Sequence, residues 1–113
     1  MVKADFFKNA DNKLLGFFLS GHADFSDMGS DIACASISSA VMLTVNTITD
    51  FFKIDAKVRV LENEIMLKLN GINDDGDKLL LSLVTHLYEV QSQFPGSIKI
   101  TICLLYTSDA ADE

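Results

Sequence analysis

A chain of 113 residues, 49% of them hydrophobic, has the size of one globular domain with one core. Its 9 basic and 16 acidic residues give a formal charge of −7, which argues against a surface built to neutralise a phosphate backbone and therefore against a direct nucleic-acid ligand. Apolar runs such as Ala40 to Leu43 stop far short of the roughly 20 residues a bilayer requires, and Met1 to Lys13 has no hydrophobic block followed by a small-residue cleavage site; no membrane segment and a cytoplasmic location are expected.

Residues 2–8 and 14–20 are aromatic-rich and flank Asn9-Ala10-Asp11-Asn12, whose Asn and Asp side chains favour a turn, so they read as a hairpin. Gly21 to Ser30 reads as a polar loop. From Asp31 to about Phe52, apolar residues recur at Cys34, Ile37, Val41, Val45, Ile48 and Phe52, spacings of three and four that define one face of a long helix. Lys57 to Leu61 and Glu64 to Asn70 alternate again around a Glu62-Asn63 turn, with Val58, Val60, Ile65, Leu67 and Leu69 expected to face inward. Asn73 to Asp77 carries turn and cap chemistry ahead of a second helix with the stripe Leu80, Leu83, Val84, Leu87, Val90 and Phe94. Pro95-Gly96 ends that helix, and Ser97 to Ile102 reads as a fifth strand.

The order strand, strand, helix, strand, strand, helix, strand implies an α+β domain, an antiparallel or mixed five-stranded sheet with two helices packed on it. Residues 1–102 form the expected domain. Cys103 to Glu113 (CLLYTSDAADE) breaks the preceding alternation, resembles translated adapter sequence, and is read as a non-native tail. Without it the charge is 9 minus 13, or −4, and Cys34 is the one cysteine left, too few for an internal disulfide or a cysteine-based zinc site. No metal and no cofactor are expected. The acidic balance suits a basic protein partner.

Chemistry concentrates in Gly21-His22-Ala23 and in Gly29-Ser30-Asp31-Ile32-Ala33-Cys34. Asp31 is placed to cap the long helix, which puts Cys34 in its first turn, where unpaired N–H groups and the helix dipole favour an anion. A thiol of ordinary pKa about 8.5 gains thiolate character there, the more so beside an imidazolium. His22 lies where the second strand leaves the sheet, so imidazole and sulfur can converge as in nucleophilic acyl transfer, with backbone N–H groups around Cys34 as oxyanion donors. Bland alternatives stand beside this. Cys34 on an apolar face reads equally as a small core residue, His22 as a strand terminus, Asp31 as a simple cap and Ser38 as a hydroxyl bonded to its own helix. His86 reads as structural or exposed. The Asp74 to Asp77 cluster lacks the later glutamate of a calcium loop and reads as a solvated turn.

The run GHADFSDMGSDIACASISSAVMLTVNTI, residues 21–48, resembles the signature of the ribosomal-processing cysteine protease Prp family: Gly-His-Ala, a loop, Gly-x-Asp-Ile, Cys-Ala, and a serine four residues after the cysteine. The resemblance implies that His22 and Cys34 are a catalytic dyad, with Gly21, Gly29, Asp31 and Ser38 in support. It implies that a loop of Asp24, Phe25, Ser26, Asp27, Met28, Gly29 and Ser30 admits substrate. The implied substrate is a large-subunit ribosomal protein, numbered twenty-seven, whose short apolar N-terminal extension is removed without a cofactor. Homodimers are common in the family. Ala33 departs from the valine usual before the cysteine. A non-enzymatic, ribosome-associated binding module is the competing reading, and the ionisation of Cys34 separates the two.

Overall fold

The computed structural model describes residues 1–21 and 28–105, the side chains of residues 28–31 excepted. Strands β1 (Val2–Lys8) and β2 (Leu14–Ser20) form the first hairpin. Helix α1 (Met28–Asn46) runs directly into a π-helical segment, Thr47–Phe51. Strands β3 (Ala56–Val60) and β4 (Glu64–Leu69) form the second hairpin, followed by α2 (Asp74–Gln93) and β5 (Ile98–Leu104).

The five strands form one mixed sheet in the order β3-β4-β2-β1-β5, antiparallel except for the parallel pair β1 and β5. The fold is therefore α+β, as the alternation of hairpins and helices implies. The parallel pair follows from connectivity. A chain that rises through α2 and re-enters the sheet beside β1 must run in the same sense as β1, whereas each hairpin enforces the opposite sense on its partner. Strand β5 continues two residues beyond the expected Ile102, with Cys103 opposite Phe7 and Leu104 opposite Lys8.

One face of the sheet is covered by the helices. Val2, Ala4 and Phe6 from β1, Phe17 and Leu19 from β2, and Ile65, Leu67 and Leu69 from β4 are buried against Ile37, Val41, Val45 and Ile48 of the first helical segment and Leu80, Leu83, Val84, Leu87 and Val90 of α2. Phe6 and Phe17, opposite one another in the β1–β2 register, bring their ring centroids to 5.6 Å. Gly16 is required where it stands, because a Cβ there would run into the backbone of Leu67 in β4.

Two expectations are corrected. Val58 and Val60 point to the covered face but remain 39% and 54% exposed, because β3 is the edge strand and the helices do not reach over it. Phe52 leaves the stripe and is exposed: Thr47–Phe51 is wound as a π-helix, which rotates later residues out of the phase set by Ile37 and Val41. The stretch Ile32–Phe51 is long and apolar enough, by length and composition, to cross a membrane, which the short apolar runs did not suggest. One stripe of that stretch is nevertheless fully engaged in the core described above.

Helix α2 is fixed at both ends. The Asn73 side chain accepts a hydrogen bond from the Gly76 N–H at 2.8 Å, capping the first turn. Asp77 Oδ1 accepts from the Leu14 N–H at 2.8 Å, and Lys13 Nζ lies 3.4 Å from Asp74 and 3.9 Å from Asp77. The acidic turn is thus more than a solvated loop, since Asp77 ties the helix start to the beginning of β2. At the far end Gln91 donates to the Ile98 carbonyl at 3.1 Å.

Candidate active site

The end of β2 is the fixed edge of the site. Gly21 takes φ of 81°, a left-handed conformation that glycine adopts without steric cost, and its N–H donates to the Asn63 carbonyl at 3.1 Å. The turn between β3 and β4 therefore braces the chain at the residue before His22. His22, Asp24, Phe25, Ser26 and Asp27 lie outside the described residues.

The other edge is α1, and here a sequence expectation is overturned. The helix begins at Met28, so Met28, Gly29 and Ser30 belong to its first turn rather than to a loop, and Asp31 is helical rather than a cap preceding the helix. Cys34 is consequently in the second turn. This changes its electrostatics. The unpaired N–H groups of a helix are those of its first four residues, and the dipole's effect falls off within the first turn. Oxyanion donors on this helix are thus to be sought among residues 28–31, one turn before the sulfur, because the Cys34 N–H falls within the hydrogen-bonded body of the helix.

Cys34 is half-buried, as is Ser38 one turn further on, while Ala33 beside it is fully buried. The core-residue reading of Cys34 therefore fails in its simple form, since the residue that closes the apolar stripe at this level is Ala33. The shift follows from the helical phase: Ala33, Ile37, Val41 and Ile48 point into the core, and Cys34 and Ser38 stand beside them on one flank. The opposite flank, Ser36 and Ala40, faces Ser82, Leu83 and His86 of α2 across an open groove. His86 itself is exposed, 3.9 Å from Glu89 on its own helix. Among the described residues no cluster of His, Cys, Asp or Glu is arranged to hold a metal ion.

A half-buried cysteine near the start of a helix, on a sheet whose second strand ends at Gly21, is what the geometry offers, and comparison with known proteins supplies the class. The sequence profile of the family described as cysteine protease Prp matches residues 1–99, and the chain belongs to that family. It is 26% identical over 103 residues to the ribosomal processing cysteine protease Prp of Staphylococcus aureus, covering 88% of this chain and 97% of that protein. It is 33% identical over 48 residues to the protein of that name from Bacillus subtilis, covering 42% and 43% of the two chains. The crystal structure of S. aureus Prp in complex with a substrate peptide shares the fold with a TM-score of 0.84 at 20% identity, covering 90% of this chain and 99% of that one. SMU.848 from Streptococcus mutans superposes with a TM-score of 0.82 at 20% identity, covering 93% and 99%. The protein is a cysteine peptidase, and the non-enzymatic reading is set aside.

Proposed function

We propose that this peptidase removes the short N-terminal extension of large-subunit ribosomal protein twenty-seven, using Cys34 as nucleophile and His22 as its acid–base partner. The observation that carries the reading is the placement of Cys34 on a flank of α1, half-buried beside the core stripe rather than within it. Family membership and the ribosomal-processing role in the names of the S. aureus and B. subtilis relatives support the substrate class.

In the proposed reaction the Cys34 thiolate attacks the scissile carbonyl, and the resulting oxyanion is held by N–H groups of the first turn of α1. Protonated His22 delivers its proton to the departing amine as the C–N bond breaks, leaving a thioester on Cys34. Neutral His22 then takes a proton from water, which attacks the thioester and frees the second product and the thiol. Gly21 and Gly29 supply backbone freedom on either side of the substrate-admitting segment, whose residues Asp24 to Ser30 contact the substrate. Asp31 and Ser38 orient the dyad. The working protein is a cytoplasmic homodimer that needs no cofactor, and residues 1–102 are its functional domain.

Incubation with the ribosomal protein bearing its extension, followed by mass spectrometry, tests the assignment. Loss of the mass of the extension is expected from the unaltered protein and not from Cys34→Ala. An intact substrate after prolonged incubation would sink it.

A further inference from the structure

Strand β3 is the exposed edge of the sheet, and its hydrogen-bonding pattern shows what that edge offers. Leu61 donates to the Glu64 carbonyl at 2.8 Å and Asn70 donates to the Asp55 carbonyl at 3.0 Å, so residues 55 and 61 bond toward β4. Antiparallel ladders alternate, so Lys57 and Arg59, opposite Lys68 and Met66, also bond toward β4. The N–H and C=O groups of Ala56, Val58 and Val60 therefore point off the sheet. Among the described residues no backbone group pairs with them.

The side chains along this edge are exposed on both faces. Val58 and Val60 share the helix-covered face with Leu67 and Ile65, and Lys57 and Arg59 share the open face. Helix α1 packs on this same face of the sheet without reaching over Val58 and Val60. Its flank toward α2 carries Ser36 and Ala40, so the flank with Cys34, Ser38 and Met42 faces away from α2, which packs on β2 and β5, and thus toward the β3 edge. The chain direction fits as well. The π-helical segment meets the start of β3, where Ile54 donates to the Ile48 carbonyl at 3.0 Å, and the β3–β4 turn braces Gly21 at the opposite end. Strand β3 thus runs from the end of the first helical segment toward the end of the sheet that carries the active site.

We propose that β3 is the docking rail for the substrate: an extended segment of the polypeptide adds to this edge as a sixth strand and is guided along it toward Cys34. This rests on the proposed peptidase function. Five residues of edge offer about 17 Å of backbone pairing, enough for a short peptide. The occupant is apolar at alternate positions, to cover Val58 and Val60, and lacks Lys and Arg, which would sit beside Lys57 and Arg59. A second copy of the chain is the poorer occupant. Antiparallel pairing of two β3 strands centred on Val58 sets Lys57 opposite Arg59 of the other copy, a repulsive pair and a known means of blocking edge-to-edge association.

The test uses purified ribosomal protein twenty-seven with its extension. Val58→Pro removes an N–H that points off the sheet and none that bonds to β4, a position where an edge strand accepts proline. The variant is expected to keep kcat within about twofold and to raise KM about tenfold or more. A folded Val58→Pro enzyme with unchanged KM overturns the rail. Independently of that variant, amide exchange in Cys34→Ala protein is expected to slow at Val58 and Val60 when the ribosomal protein is added, with β5 unaffected. Bound substrate without protection of β3, or protection that needs only higher concentrations of the protein itself, overturns it too. Failure of the unaltered protein to cleave overturns the proposed function and the rail together, whereas cleavage indifferent to β3 overturns the rail alone.

Discussion

The two helices pack on the same face of one sheet and are held there by different means. Helix α2 is pinned at its start by Asn73, Asp77 and Lys13 and near its end by Gln91, and five of its large apolar residues lie in the core. Helix α1 also buries a stripe, but it is continued by a π-helical segment, leaves Leu43 69% exposed, and starts in the very turn that the proposed chemistry uses. Capping and tethering are concentrated in α2, and the proposed reactivity in α1. A helix start whose N–H groups were all satisfied by caps could not offer them to an oxyanion, so the division of labour has a physical reason.

This contrast is broken most sharply at Cys34. Cys34→Ala is expected to lower kcat/KM on the order of 10⁴-fold while shifting the melting temperature by no more than a few degrees, because the residue is beside the core and not in it. A large loss of stability would return Cys34 to a structural role. The converse substitution is Leu87→Ala in α2, where a fully buried side chain is removed; a loss of about 2–5 kcal/mol by urea unfolding is expected, with iodoacetamide still reacting at Cys34 in the fraction that remains folded.

Smaller effects sharpen the picture. Asp77→Ala strands the Leu14 N–H without its acceptor and should cost about 1–3 kcal/mol, whereas Asp77→Asn, which keeps an acceptor oxygen, should cost visibly less. Equal losses in the two variants would mean that the ion pair with Lys13, and not the hydrogen bond, ties α2 to β2. Asn73→Ala, which removes only the cap, should cost about 1 kcal/mol. Deleting residues 103–113 should have the smallest effect, a few degrees at most in melting, since within the described residues it removes the two final pairings of β5 and the bond from Leu105 to the Lys8 carbonyl. A larger drop would make that segment an integral part of the fold.

Both hairpins, both helices and the fifth strand were legible in the residues, because period-2 alternation, period-3.6 stripes and turn chemistry act over neighbouring positions and need no knowledge of the rest of the chain. The bounds of β1 and β2 are those the Asn9 to Asn12 turn implies, and Asn73 caps α2 as its side chain and position suggest. Of the candidate site, the sequence put Gly21 at the end of β2 and Cys34 near the start of the long helix, and both stand there, whereas His22 lies outside the described residues. Three matters were decided only by the assembled molecule. Alternation marks Val58 and Val60 as facing one side of a sheet, but whether that side is covered depends on β3 being the edge, which follows from strand order. A polar, glycine-containing stretch reads as loop, yet α1 begins at Met28, and that start moves Cys34 from the first turn to the second. The parallel pairing of β5 with β1 joins residues almost a full chain length apart, and no local pattern encodes it, because backbone hydrogen bonds of that kind are chosen by which edge α2 leaves open and not by the strand's own sequence.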